Sequence, residues 1–302
     1  MKIKLILFAL LAFAGIAQAK LNVVTTLTDF ASIAEQIGGD KIKVSAIAKG
    51  SEDPHFIDAK PSFIRLLNQA DVLIEGGAEL EIGWLPPLLN NARNAKILPG
   101  AKGHLFLGQH VKLIDLPTAP VDRSQGDVHP SGNPHFWLDP ENARAIATAI
   151  TELLTCNDNA NAAAYETNRK RFVDQLDKKI GEWKKTLEPY RGTKVVTYHK
   201  SFDYLLNRFG LELVSTIEPK PGIEPSATHI RTLVPRMKEA QVKLVLAETF
   251  RSKRTPEYLA KETGARALFL PSSVGAVPQA KDYFSLLDYD VSQIVSAIKA
   301  QQ

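Results

Sequence analysis

Between Tyr165 and Leu187 the apolar side chains Tyr165, Phe172, Leu176, Ile180, Trp183 and Leu187 recur at intervals of three, four and seven. That spacing places them on one face of a helix. The positions between them are mostly charged, among them Lys170, Arg171, Asp174, Lys178, Lys179 and Glu182, and Pro189 and Gly192 stop the run. About 27 residues at 1.5 Å each make a rod of roughly 40 Å, enough to run the height of two lobes. Whatever fold this chain adopts is arranged around that rod.

The two flanks are built alike. Before the rod, Leu21 to Thr25, Lys43 to Ala48 and Asp71 to Glu75 read as strands, with helical runs at Phe30 to Ile37 and Pro61 to Ala70 between them. Another helix spans Glu141 to Leu154, introduced by Asp139-Pro140. After the rod, strands at Lys194 to Tyr198, Leu213 to Ile217, Val242 to Ala247 and Arg266 to Leu270 alternate with helices at Phe202 to Phe209, Thr228 to Ala240 and Thr255 to Thr263. Tyr283 to Ala300 is a last helix. Alternation of strand and helix specifies a parallel sheet covered by helices. The expected class is α/β, with two mostly parallel lobes, residues 20–158 and 190–302, joined by one rigid helix within residues 159–189. Gly108 to Asn133 has no strong period and is expected to be irregular.

Residues 1–19 have the three-part layout of a secretory signal peptide: basic Lys2 and Lys4, an apolar run from Leu5 to Ile16, and the cleavage pattern Ala17-Gln18-Ala19. The apolar run falls short of the roughly 20 residues that span a bilayer. The expectation is export, cleavage near Lys20, no stable membrane insertion and a home in the periplasm. Cys156 is the only cysteine, so no internal disulfide forms, and no cysteine follows the cleavage site to carry a lipid anchor. A formal net charge of +4, evenly scattered, is too mild for a nucleic-acid partner.

In an open α/β sheet, ligands bind beyond the carboxyl ends of the strands. Three histidines lie there. His55 follows the second strand in Asp53-Pro54-His55-Phe56, His135 precedes a helix in Asn133-Pro134-His135-Phe136-Trp137-Leu138-Asp139-Pro140, and His199 directly follows the strand ending at Tyr198. Two come from the first half and one from the second, so a cleft between the lobes can gather them. Neutral imidazole is the commonest side-chain ligand for zinc and also serves manganese and iron. A lone loop histidine is more often a surface or packing residue, and each of the three is weak taken singly.

Their contexts add weight. Asp-Pro-His early, Pro-His-x-Trp-Leu-Asp-Pro in the middle and Tyr-His-x-x-Phe-x-Tyr after the long helix occur in order, with Trp84-Leu85, Ala247-Glu248 and Lys261-Glu262-Thr263-Gly264-Ala265 in register. Across almost its whole length after residue 19, the chain resembles the zinc- and manganese-binding substrate-binding proteins of ABC transporters, the high-affinity zinc-uptake group in particular. The resemblance implies a metal held between the lobes by His55, His135 and His199, and a monomer that hands it to a membrane permease rather than an enzyme. Manganese-selective relatives often carry a carboxylate at the third place. Histidine there favours zinc, while manganese or another divalent transition metal remains an alternative.

The fourth ligand departs from the family pattern. Where many relatives place an aspartate after the last strand, this chain reads Pro271-Ser272-Ser273-Val274-Gly275, with Ser272 at the position of the carboxylate. A water, Glu248 or His129 can take its place, Glu248 being expected to orient a histidine ring rather than to bind metal. Of the histidine- and acid-rich loop common in zinc-uptake members, only His110, Asp122, Asp127 and His129 remain. His104 and His229 read as structural or surface residues, and Trp137 as packing beneath the site. A periplasmic metal-dependent hydrolase, with an activated water on a three-histidine zinc, is the competing function. A metal chaperone or adhesion protein of the same fold is a third. No HExxH, His-x-x-x-His pair or nucleophile elbow is present.

Overall fold

Strands β1 (Leu21–Thr25), β2 (Ile42–Ala46), β3 (Val72–Glu75) and β4 (His104–Phe106) form one sheet in the order β2-β1-β3-β4, every pair parallel. Strands β5 (Lys194–Thr197), β6 (Glu212–Thr216), β7 (Leu244–Glu248) and β8 (Arg266–Leu270) form a second parallel sheet in the order β6-β5-β7-β8. The two orders are the same pattern used twice. β3 and β7 are buried at every position, as central strands covered on both faces must be. These strands and the helices below come from a computed structural model that describes residues 19–119, 126 and 129–301. The expected signal peptide, Ala19 excepted, lies outside the described residues, as do Asp122 and Asp127.

Helices α1 (Thr28–Gly38), α2 (Pro61–Asn68) and α3 (Leu85–Ala92) make the crossovers of the first sheet. α4 (Pro140–Asn157) and α5 (Ala162–Leu187) follow it, and α6 (Asp203–Phe209), α7 (Ala227–Ala240), α8 (Arg254–Thr263) and α9 (Tyr283–Lys299) complete the second half. Two elements are absent from the sequence reading, α3 and β4. α3 opens on Leu85-Pro86-Pro87, where proline is tolerated because first-turn N–H groups lack helical partners. β4 has three residues, too few for a period, and is admitted to the sheet by Gly103. A Cβ there would lie 2.5 Å from the Asp71 carbonyl oxygen and 2.6 Å from that of Lys96.

α5 has 26 residues, and its buried side chains are Tyr165, Phe172, Leu176, Ile180, Trp183 and Leu187, the six that the spacing selects. The helix packs on α1 and α4 of the first half and α9 of the second. Trp183 Nε1 donates to Asp288 Oδ1 at 2.8 Å, and Lys179 Nζ lies 2.8 Å from Asp288 Oδ2, fastening α5 to α9. One continuous apolar core runs from Val23 to Ile298 through α5 and both sheets, with a smaller cluster between β5, β7 and α7.

Direct contacts reinforce the seam between the halves. The N-terminal turn of α1 grips the loop after β8: Thr28 Oγ1 donates to Val274 O at 2.7 Å, and Val274 N donates to Asp29 Oδ1 at 3.0 Å. Asp139, the N-cap of α4, accepts from Glu141 N at 3.0 Å and from the Arg208 fork of α6 at 2.6 and 2.7 Å. The carboxyl ends of both sheets meet along this seam.

Candidate metal centre

Each of the three histidines is placed by a different device. His55 and His135 share a local one, in which the residue two places earlier, across a proline, folds back on the histidine. The Asp53 Oδ1 atom accepts from His55 N at 3.1 Å and from His55 Nδ1 at 3.0 Å. Asn133 Oδ1 does the same for His135, at 3.0 Å to both N and Nδ1. This is the Asx-turn habit of Asp and Asn, with the intervening proline pre-setting the turn. The Asn133 amide is oriented by its other end, since Nδ2 donates to Lys200 O at 2.9 Å across the seam.

His199 extends from the end of β5, and its support is remote in sequence. Glu218, just past β6, accepts from His199 Nδ1 through Oε2 at 2.7 Å. Parallel pairing of β5 with β6 delivers the contact, because Glu218 N donates to Tyr198 O at 3.1 Å. In all three rings an acceptor takes Nδ1–H, which assigns the tautomer and leaves the Nε2 lone pair for a cation.

The rings converge. Centroid distances are 5.1 Å for His55–His135, 5.2 Å for His55–His199 and 5.1 Å for His135–His199, and one ligand nitrogen from each lies within 4.8 Å of the others. All three are buried, at 9%, 1% and 3% exposure. Burial, followed by repulsion that a protonated ring would meet from Arg251 and from any proton shared among His55, His199 and His129, drives the His135 pKa well below its ordinary value. The His135 ring is therefore held neutral at neutral pH. Asp53 is held down at about 2: burial would raise it, but the hydrogen bond from His55 and the charges of His55 and Arg251 together outweigh burial. The cleft beside the rings encloses about 120 Å³, well below the roughly 300–1,000 Å³ of organic-ligand pockets. It fits an ion with a water or two.

The remaining sequence candidates separate here. His129 reaches the site, its Nε2 lying 3.2 Å from His55 Nε2, although it is not in the set of mutually close nitrogens. Glu248 is fully buried but makes no hydrogen bond to a histidine ring. The carboxylate in contact with His199 is that of Glu218. Ser272 contributes its backbone, since Trp137 Nε1 donates to Ser272 O at 2.8 Å, and the buried Trp137 ring lies 5.3 Å from His135 as a floor. His104 has a buried side chain with Nε2 3.2 Å from Glu75 Oε2, away from this cluster. Sequence reasoning gave no role to Asp53, Asn133, Glu218 or Arg251. The repeated Asp/Asn-Pro-His spacing was an available signal for the first two. Glu218 follows an expected strand end just as Glu248 does, so the sequence does not choose between them, and Arg251 has no local signal.

The family model for the zinc-uptake complex component A, periplasmic (ZnuA), matches residues 23–297. The chain belongs to this family. Its sequence is similar to the metal ABC transporter substrate-binding lipoprotein ScbA of Streptococcus cristatus, 26% identical over 317 residues that cover 98% of this chain and 99% of that one. The manganese ABC transporter substrate-binding lipoprotein PsaA of Streptococcus pneumoniae serotype 4 is 26% identical over 287 residues, covering 92% of this chain and 89% of that one. The crystal structure of ZnuA superimposes with a TM-score of 0.75 at 26% identity, covering 93% of this chain and all of that one. A zinc-bound ZnuA deletion mutant gives 0.76 at 25% identity, covering 92% and 98%. Membership makes this ZnuA-family protein a metal-binding, extracytoplasmic substrate-binding component of an ABC transporter. Among the described residues, no helix is long and apolar enough to cross a membrane.

Proposed function

We propose that the protein captures zinc in the periplasm on His55, His135 and His199 and hands it to the permease of an ABC transporter. The observation that carries this is the convergence of three buried rings with every Nδ1 already engaged. Three neutral imidazoles with no carboxylate in the set suit zinc better than manganese, which prefers oxygen donors. The PsaA relatives are named for manganese, and the titration below sets the two metals against each other. A water or His129 completes a tetrahedron, the geometry zinc favours. Relatives are named lipoproteins. Those names run against the expectation, drawn from the single cysteine Cys156, of a chain without a lipid anchor.

The small cleft supports transport over the hydrolase reading. A hydrolytic zinc must also admit an ester or peptide, and the cleft lined by His129, His135 and His199 has about 120 Å³, the larger one of about 460 Å³ lying on the far side of Asp53 and Arg251. Titrating the metal-stripped protein with zinc and manganese separates the two functions. The expected outcome is tight zinc binding, weaker manganese binding and no ester or peptide turnover. His199→Ala should lose about 100-fold or more in zinc affinity, beyond the 10–100-fold typical of losing a supporting partner. Unchanged affinity in that variant would remove His199 from the site, and zinc-dependent turnover would favour the enzyme.

A further inference from the structure

Arg251 lies on the turn after β7, where its backbone N–H donates to Glu248 O at 3.0 Å. Its guanidinium reaches into the seam between the halves. Nη2 lies 3.3 Å from Asp53 Oδ2 and 3.4 Å from Glu218 Oε1, while Nε is 3.6 Å from Glu248 Oε2. The side chain is only 16% exposed. Its guanidinium carbon lies 5.1 Å from the Tyr198 ring centroid and 5.3 Å from that of Phe250, within cation–π range. It is a cation fixed in place by aromatic neighbours.

What it touches gives it a role. Asp53 orients His55 from the loop after β2, and Glu218 orients His199 from the end of β6. One carboxylate belongs to the first half of the chain and the other to the second, and Arg251 contacts the second oxygen of each. Both contacts come from one guanidinium nitrogen, Nη2, seated between the two carboxylates. A lysine ammonium can approach both, but on a flexible stem and without the flat face that packs on Tyr198 and Phe250 it holds them less firmly. We propose that Arg251 is an interlobe positioning residue that clamps Asp53 to Glu218 and thereby sets His55 and His199 at metal-binding separation.

Two effects of Arg251 on a bound dication oppose each other. Its positive charge repels the metal, so Coulomb's law alone makes removal tighten binding. The clamp holds two ligands in register, so its removal loosens binding. Asp53, Glu218 and Glu248 surround the guanidinium with negative charge and mask the repulsion, so the clamp prevails. The sign of the change in affinity therefore tests the idea.

The inference rests on the zinc-binding reading above, and the same titration keeps the two apart. Metal-stripped wild type, Arg251→Gln and Arg251→Lys are titrated with zinc, and release is timed by mixing the loaded proteins with a chelator. Arg251→Gln is expected to bind zinc about tenfold more weakly, at the lower end of the cost of losing an outer-shell partner, with most of the change in faster release. Arg251→Lys should fall between it and wild type. A residue that mattered only for stability would lower the melting temperature and leave the affinity of the folded protein alone. If wild type binds zinc and both variants bind equally or more tightly, the clamp is overturned and the zinc site stands. If wild type does not bind zinc, both fall. Should Arg251→Gln fail to fold, Arg251→Lys decides alone, and wild-type affinity and release in it would overturn the clamp.

Discussion

At the scale of single residues, the division of labour between two glutamates is the sharpest consequence of the geometry. Glu218 is 2.7 Å from His199 Nδ1 and also accepts from Gly222 N at 3.0 Å, whereas Glu248 hydrogen-bonds no histidine. Glu218→Gln keeps the shape but removes the charge that favours Nδ1–H and enriches Nε2 as a donor to metal. It should weaken zinc binding about 10–100-fold, and Glu248→Gln should cost clearly less. Calorimetric titration of both variants checks the order, and a larger loss at Glu248 would reverse the assignment. The same pair marks the limit of sequence reasoning. The three histidines stand out because each follows a strand end or a Pro-His turn, and Asp53 and Asn133 were within reach of the same local logic. Glu218 and Arg251 were not, since what brings them to the site is strand pairing and a charge contact between distant segments. Glu218 and Glu248 both adjoin expected strand ends, and it is the pairing of β5 with β6 that brings Glu218 to His199.

At the scale of elements, α5 is where sequence and structure agree most closely, for a physical reason. A long one-sided helix repeats its signal over seven turns, so six apolar positions define its buried face without help from the rest of the fold. α3 and β4 lacked such redundancy, being short and governed by prolines and a single close backbone approach. The buried face of α5 predicts its own energetics. Leu176 is fully buried between the halves, whereas Lys178, two residues on, is exposed. Leu176→Ala should cost about 2–5 kcal/mol, and Lys178→Ala should stay within about 0.5 kcal/mol of wild type. Chemical denaturation of the two variants measures the contrast. A small loss at Leu176 would mean that α5 is a loosely packed connector rather than the shared wall of both lobes.

At the scale of the whole molecule, the two halves share a core and a polar seam, which favours small relative movements over a wide hinge. The seam carries a titratable group. Asp29, at the start of α1, is buried and accepts the backbone N–H of Val274 from the loop after β8. Burial pushes its pKa up to about 7, although the Val274 hydrogen bond pulls the other way. In the unfolded chain the same carboxyl titrates near 4. Below about pH 4 both states are protonated and the seam is at its strongest. Between about 4 and 7 the unfolded chain has released its proton while the folded protein keeps it, so this contribution to stability drains away as pH rises. Asn is a neutral mimic whose Oδ1 can still accept from Val274, so Asp29→Asn should be free of that loss. Compared with wild type, the metal-free variant should gain stability from pH 4 to pH 8, by an amount on the order of a few kcal/mol, and level off above about pH 8. The depressed His135 works in the opposite sense, favouring the folded state as pH rises through 6, but it is common to both proteins and cancels in their difference. Denaturant unfolding at the two pH values tests the point. A difference between Asp29→Asn and wild type that does not change with pH would mean that the Asp29 carboxylate enters the folded seam already ionised, and that charge rather than a retained proton closes the lobes over the histidines.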